Sequence, residues 1–392
     1  VSDFVLRISD FLFRWMLSNM SDVTSPIFIF AGGGTGGHVY PGLAVAGELV
    51  RLRPDAKIVF ACSDRPIDRH ILEPTPYAIV VQPVQPLPAS IAAAAKFVRC
   101  YLASALQARQ MLADLHPAAV LGLGGFAAAP VVCRASKCGV QTAMLNPDAV
   151  PGKANRMLAR RADAIFTAFA STEDEFPAAV RAKVRHVGCP VRREFLEADR
   201  QQALDHFGLR GDRKTLVVNG GSLGAASINQ AVALLAGELG ELGGSWQVLM
   251  ITGRDKAGPA LEARGGLCVR VLDYCQRMDL AYAAADLSLG RAGAGTVAEL
   301  SATATPAVLM PYPYHTDQHQ RLNAAELCQA GAATIVDDAK TAETNAQRLR
   351  EALLPILRDP ARLDKMRQAA KSIKGAHAAQ RVARWLLGME EE

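Results

Sequence analysis

Ile27-Phe28-Ile29-Phe30-Ala31-Gly32-Gly33-Gly34-Thr35-Gly36-Gly37-His38-Val39-Tyr40-Pro41-Gly42 is the stretch that decides the fold. Its apolar opening, 27–30, reads as a buried strand. The glycines form a loop that brings backbone N–H groups close to a ligand, and 43–52 reads as the helix that follows. The spacing is not GxGxxG and no Gly-Lys-Ser/Thr follows, so neither a dinucleotide fingerprint nor a P-loop is present.

Working outward, apolar runs at 58–61, 78–81, 120–123 and 165–167 complete a first series. Runs at 216–219, 248–251, 269–272, 287–289 and 307–310 form a second. Continuous apolar runs separated by helix-length stretches are the pattern of buried parallel strands in βαβ units. Two series in 392 residues imply an α/β protein of two doubly wound, Rossmann-like domains facing across a cleft. The seam is expected at Gly188-Cys189-Pro190-Val191, giving a leading domain at 25–190 and a trailing one at 191–372. Residues 1–24 are apolar but carry Asp3, Arg7, Asp10 and Arg14 and no small-residue cleavage site. They are expected to be an overlong start or a short amphipathic anchor, outside the fold.

The glycine loop recurs. Gly122-Leu123-Gly124-Gly125-Phe126 follows a first-series strand, and Asn219-Gly220-Gly221-Ser222-Leu223-Gly224-Ala225 opens the second domain. Gly290-Arg291-Ala292-Gly293-Ala294-Gly295-Thr296 leads into a helix expected over 297–301. Repeated loops on facing domains describe a cleft lined with backbone donors. Ala294, Gly295 and Thr296 start a helix whose free N–H groups and dipole favour a diphosphate. Glu299, one turn on, can accept both hydroxyls of a ribose.

A net charge of +5 is too mild to argue for nucleic acid, although it permits an anionic ligand or membrane surface. Eight cysteines show neither CxxC nor zinc spacing and read as reduced thiols, consistent with the cytosol. No run of 18 apolar residues is present, so no membrane span is expected.

GGGTGGHVYPGLAVA, GLGGFAAAP, GCPVR, NGGSLGA, RAGAGTVAEL and DQHQRLNA, in this order, resemble the family of UDP-N-acetylglucosamine:lipid-linked muramyl-pentapeptide N-acetylglucosaminyltransferases. The resemblance spans roughly residues 27–336. It implies a GT-B fold, a helix at about 373–388 crossing back to the leading domain, and an inverting transfer with no metal or other cofactor. UDP-N-acetylglucosamine would bind the trailing domain, and a polyprenyl-diphosphate-linked muramyl-pentapeptide the leading one. The enzyme would be cytoplasmic and peripheral on the inner leaflet of the cytoplasmic membrane. Carried over by position, Tyr274 and Cys275 border the uracil and Glu299 holds the ribose, while Ser222, Ala294, Gly295 and Thr296 line the diphosphate. His319 and Gln320 contact the sugar, with Asn323 following at the expected distance, and Arg192 reaches the nucleotide from the hinge. Thr35, Gly36 and Gly37 complete the donor set. His38 is the proposed base at the tip of its loop, where an exposed imidazole titrates near neutrality. Gly124, Gly125, Asp148 and Asn155 belong to the acceptor side, with Asp148 a second candidate for the catalytic base.

Several positions depart from the family pattern. Leu145, Asn146, Pro147 and Asp148 stand where it carries His-Glu-Gln-Asn, Phe126, Ala127 and Ala128 replace a tyrosine and serine, and Leu223 replaces a glutamine. These changes favour the donor over the acceptor as the safer assignment. They leave room for a transferase acting on another lipid or small molecule, or for a UDP-sugar-binding relative without transfer. Beyond 87–91, a helix is expected to bury Ile91, Val98, Leu102 and Leu106 and to expose Phe97 and Tyr101 beside Lys96 and Arg99, an aromatic and cationic edge suited to an anionic interface.

Overall fold

The computed structural model describes residues 25–85, 90–221, 224–253, 261–314, 318–373 and 377–389. The expected N-terminal extension, Ser222, Leu223 and the 87–89 turn lie outside the described residues, as does the side chain of Ile91.

The first sheet comprises β1 (Ile27–Gly32), β2 (Lys57–Ser63), β3 (Ala78–Gln82), β4 (Ala119–Gly124), β5 (Gln141–Asn146), β6 (Ala164–Thr167) and β7 (Val184–His186). Its order is β3-β2-β1-β4-β5-β6-β7, with every pairing parallel. The second comprises β8 (Lys214–Asn219), β9 (Trp246–Ile251), β10 (Cys268–Leu272), β11 (Leu287–Gly290), β12 (Ala307–Leu309) and β13 (Ala333–Ile335). Its order is β10-β9-β8-β11-β12-β13, again all parallel. Both are doubly wound α/β sheets. In each, the order reverses between two central strands, β1 and β4 in one and β8 and β11 in the other. The four glycine loops follow those four strands. Each pair therefore opens at a topological switch point, where α/β sheets leave a crevice for ligands.

Helices cover both faces of each sheet. Helix Ala378–Leu386 follows the second sheet in sequence but packs on the first: Val382, Ala383 and Leu386 join its core, and Trp385 meets the Phe166 ring edge-on at 5.6 Å. Ala149, Ala168 and Phe169 from the first half share a further cluster with Tyr282, Ala292 and Val297 from the second, so apolar surface is buried between the two sheets.

Two expectations need correction. The helix after β1 spans Gly36–Leu52 rather than 43–52, so His38 lies in its first turn and not at a loop tip. Glycines disguise this start, but Thr35 caps it through its carbonyl, which accepts from His38 and Val39 N–H. In helix Ile91–Leu115 the faces are reversed. Val98, Leu102 and Leu106 are 53, 57 and 66% exposed, whereas Phe97 and Tyr101 stack at 6.3 Å and are half-buried. The buried stripe is 97-101-104-108-111-115, a helical period that runs through small Ser104 and Ala108. Ser104 is sealed there by donating to Gln82 on β3.

Candidate active site

On the first sheet, the two glycine loops interlock. Gly124 and Gly125 hold φ of +99° and +74°, and a Cβ on Gly125 would lie 2.6 Å from the Gly33 carbonyl. A Cβ on Gly124 would come within 3.1 Å of His38 Nε2. The second loop is thus moulded against the imidazole, and only glycine fits. His38 Nδ1 lies 3.2 Å from Thr35 Oγ1. Burial pushes the imidazole below its ordinary 6.5, against the pull of Asp148, a hydrogen bond to the Gly33 backbone and Asp68. At neutral pH the ring is therefore uncharged and able to take a proton.

Sequence reasoning missed Asp68. This fully buried carboxylate accepts from Gly34 N–H at 2.8 and 2.9 Å and from the Ser63 backbone and hydroxyl. One amide expected to face a ligand is thereby spent on holding the loop. An aspartate two residues after Pro66 at a helix start was the available signal. Arg65 lies nearby, donating to the Gly34 carbonyl at 2.9 Å with its guanidinium over the Phe126 ring.

The end of β5 and the loop after it carry the departing residues. Leu145, Asn146 and Pro147 are buried. Asn155 Nδ2 donates to Asn146 Oδ1 at 2.9 Å and to the Leu145 carbonyl, and Asn146 Nδ2 donates to the Asp148 carbonyl at 2.6 Å. Asn155 therefore braces this loop. The Asp148 carboxylate is half-buried and accepts from Asn323 Nδ2 at 2.9 Å.

On the second sheet, helix Ala294–Ala302 begins at the end of β11 with Gly293 as N-cap and no capping side chain. Thr296 hydrogen-bonds the buried Tyr282 hydroxyl, which Asn219 at the end of β8 also approaches at 3.4 Å. Glu299, on the second turn, is pushed from 4.5 up to about 7 by burial, with Arg192 pulling down and Asp279 adding to the rise. Arg192, at the seam, lies over the rings of Tyr40 and Phe195, at 4.8 and 5.2 Å. Tyr40, from the first glycine-loop helix, hydrogen-bonds Tyr274, and His70 meets the Tyr274 ring edge-on at 5.5 Å. The two halves therefore meet around Tyr40, Arg192 and Tyr274.

Tyr274 and Cys275 border an open cavity of ≈ 670 Å³ whose other wall is His206 and Phe207. Burial pushes the Cys275 thiol up to about 11, so it is a neutral wall group. His319 opens helix His319–Gln329, and Gln320 Oε1 accepts from Tyr312 N–H at 2.9 Å. Asn323, one turn further along this helix, is bonded to Ala149 and Asp148 of the first half of the chain. The fourth loop is anchored by a second group missed in the sequence. Buried Arg291 pairs with Asp338 at 2.8 Å and donates to Ser227 and to the Met310 and Pro311 carbonyls. Among the described residues no group of three or more His, Cys, Asp or Glu could hold a metal ion, and no helix is long and apolar enough to cross a membrane.

Comparison with known proteins agrees with this geometry. Residues 28–167 match the glycosyltransferase family 28 N-terminal domain, and 215–382 the family 28 C-terminal domain. A UDP-N-acetylglucosamine–N-acetylmuramyl-(pentapeptide) pyrophosphoryl-undecaprenol N-acetylglucosamine transferase from Chlorobaculum parvum is 38% identical over 350 residues, 88% of this chain and 94% of that protein. The protein of the same name from Leifsonia xyli is 39% identical over 91% of this chain and 96% of its own. The crystal structure of Acinetobacter baumannii MurG superposes with a TM-score of 0.69 at 26% identity, covering 93% of this chain and 100% of that one.

Proposed function

The chain belongs to glycosyltransferase family 28 and, within it, to the UDP-N-acetylglucosamine–N-acetylmuramyl-(pentapeptide) pyrophosphoryl-undecaprenol N-acetylglucosamine transferases, and from that premise we propose how its residues divide the work. It is a UDP-N-acetylglucosamine-dependent hexosyltransferase of peptidoglycan synthesis. It moves N-acetylglucosamine to the muramyl sugar of undecaprenyl-diphosphate-linked muramyl-pentapeptide, turning the first lipid intermediate into the second.

The observation that carries the division is the placing of the glycine loops at two facing switch points, with His38 on one side and Glu299 and Arg192 on the other. On the donor side, Ala294, Gly295 and Thr296 offer helix-opening amides to the diphosphate, and Arg192 adds a cation as negative charge develops on departing UDP. Glu299 accepts the ribose hydroxyls, Tyr274 and the Cys275 backbone flank the uracil, and His319 and Gln320 meet the sugar. Ser222 and the Thr35–Gly37 turn complete the donor set. On the acceptor side, Gly124 and Gly125 shape the site, Asn155 braces it, and His38 Nε2 removes the proton from the muramyl hydroxyl. That oxygen bonds to the sugar's anomeric carbon as the bond to the diphosphate breaks, with inversion. Asp148 stabilises the imidazolium that results. The reaction is proposed to need no metal.

The exposed Val98-Leu102-Leu106 stripe, with Lys96, Arg99 and Arg109 exposed beside it, is proposed to rest on the anionic inner leaflet where the lipid acceptor resides. This makes the enzyme a peripheral protein of the cytoplasmic face. Transfer of radiolabelled sugar from UDP-N-acetylglucosamine to a short-chain lipid-linked muramyl-pentapeptide tests the whole reading. Labelled disaccharide-lipid is expected. Nucleotide binding without product would overturn it in favour of a binding-only relative.

A further inference from the structure

Asn323 is 0% exposed, and its amide is used from both ends. Its Oδ1 accepts from Ala149 N–H at 2.8 Å, and its Nδ2 donates to Asp148 Oδ1 at 2.9 Å and lies 3.4 Å from the Ala292 carbonyl. Ala149 and Asp148 belong to the loop after β5 in the first half of the chain. Ala292 belongs to the glycine loop after β11, and Asn323 itself to the helix that begins with His319 and Gln320. A single carboxamide therefore joins the acceptor-side loop, the proposed diphosphate loop and the proposed sugar-contacting helix.

The bond matters more to Asp148 than to Asn323. Among the described residues, the Asp148 side chain has this one hydrogen bond, and its donor comes from the opposite half of the molecule. On its own side the loop is held through its backbone, with Asn146 donating to the Asp148 carbonyl and Thr172 to the Ala149 carbonyl. The carboxylate also acts electrostatically on His38, in the direction that favours the imidazolium. Moving the second half away would remove the Asn323 amide, leave the carboxylate free to rotate into solvent, and weaken its hold on the histidine.

We propose that Asn323 is a positioning residue that reaches across the cleft to orient Asp148 toward His38, so that the acceptor-side proton acceptor is assembled only when the donor half is closed upon it. The proposal rests on the reading that His38 and Asp148 serve the acceptor. It adds that their competence depends on a residue of the donor half. Opening of the cleft would thereby release the carboxylate as well, so that the base is in place only while the donor half is closed.

The test is a double-substitution cycle on the full chain, with three readouts: acceptor-dependent turnover, radius of gyration by small-angle scattering, and calorimetry with UDP, which lacks the sugar. Asn323→Asp sets carboxylate against carboxylate in a buried contact. It is expected to enlarge the radius of gyration and lower kcat at least tenfold, with the UDP Kd within about twofold of wild type. In the Asp148→Asn background the charges are exchanged. The amide at position 148 donates to the carboxylate at 323, and Ala149 N–H keeps its acceptor. There, adding Asn323→Asp should restore the closed radius and change kcat less than twofold relative to Asp148→Asn alone. Equal losses in both backgrounds would overturn the proposal and assign Asn323 to the sugar or to folding. Where Asn323→Asp alone does not fold, Asn323→Ser, too short to reach Asp148, takes its place and must show the same non-additivity. Loss of UDP binding in the wild type would instead overturn the donor-site reading, leaving the cross-cleft contact to be judged by scattering.

Discussion

Glu299 carries opposing demands, and one substitution separates them. In the unliganded protein, burial lifts its carboxyl from 4.5 to about 7. At about 1.4 kcal/mol per pH unit, holding it ionised above pH 7 costs the folded state up to roughly 3 kcal/mol. Because the folded value lies above the ordinary one, this penalty is absent below pH 4.5, grows through the interval, and is complete above about 7. Glu299→Gln removes the ionisation. Relative to wild type, the variant should therefore gain thermal stability as pH is raised from 5 to 8.

Donor binding runs the other way. Two ribose hydroxyls donate to a carboxylate better than to a carboxyl, so binding favours the ionised form. UDP-N-acetylglucosamine is the appropriate titrant, because its esterified diphosphate does not itself ionise in this range. From pH 8 to pH 6, wild-type affinity should fall roughly tenfold, with proton release on binding near neutrality. In Glu299→Gln the profile should be flat, and affinity at pH 8 should be lower by about 1–3 kcal/mol. Calorimetry in buffers of different ionisation enthalpy measures affinity and proton release together. A wild-type affinity that does not change between pH 6 and 8, or a Gln variant with the wild-type slope, refutes the assignment of Glu299 to the ribose.

The remaining expectations are shorter. His38→Ala should lower kcat by about 10²–10⁴ with donor affinity nearly unchanged, and the acid limb of the wild-type profile should fall below the ordinary imidazole value of 6.5, as burial dictates; wild-type turnover in that variant removes His38 from the chemistry. Gly125→Ala forces a Cβ to 2.6 Å from the Gly33 carbonyl at φ +74°, so it should destabilise by at least about 1–2 kcal/mol and raise the acceptor KM, read by melting and steady-state kinetics. Leu102→Asp with Leu106→Asp should abolish sedimentation with anionic vesicles while leaving transfer to a detergent-soluble short-chain acceptor within about threefold; unchanged vesicle binding would move the membrane contact elsewhere.

Much of this architecture is legible in the sequence because central parallel strands are apolar on both faces. Runs such as 27–30 and 216–219 therefore announce themselves, and the loops that follow them are marked by glycine. What was not legible has physical causes. β5 was hidden because Gln141, Thr142 and Asn146 interrupt its apolar run, yet Thr142 and Asn146 are buried and satisfied by side-chain bonds. β7 is a short edge strand, Val-Arg-His, with two exposed residues and no apolar signature. The Ile91–Leu115 helix misled because its buried stripe passes through serine and alanine, so the exposed Val98, Leu102 and Leu106 looked like the core. Asp68 and Arg291 escaped because their partners, Gly34 and Asp338, are distant in sequence, and no spacing rule connects them.

The altered run 145–148 was the strongest reason to suspect a different acceptor, and its structure weakens that reason. Leu145 is fully buried among the apolar side chains beneath the first sheet, and Asn146 and Pro147 are buried as well. None of these three presents a polar group to the cleft, and the Asn146 amide is consumed in bracing Asn155 and the Asp148 carbonyl. In this chain the run therefore stiffens the loop through buried side chains and the Asn146 amide. The one residue of the run whose side chain is not fully buried is Asp148, which accepts from Asn323 and acts electrostatically on His38. On the proposed assignment of His38 and Asp148, a carboxylate there attracts the proton that an acceptor hydroxyl must lose, so this departure bears on the transfer step, while the second loop keeps Gly124 and Gly125 and departs only in the Phe126–Ala128 segment that follows them.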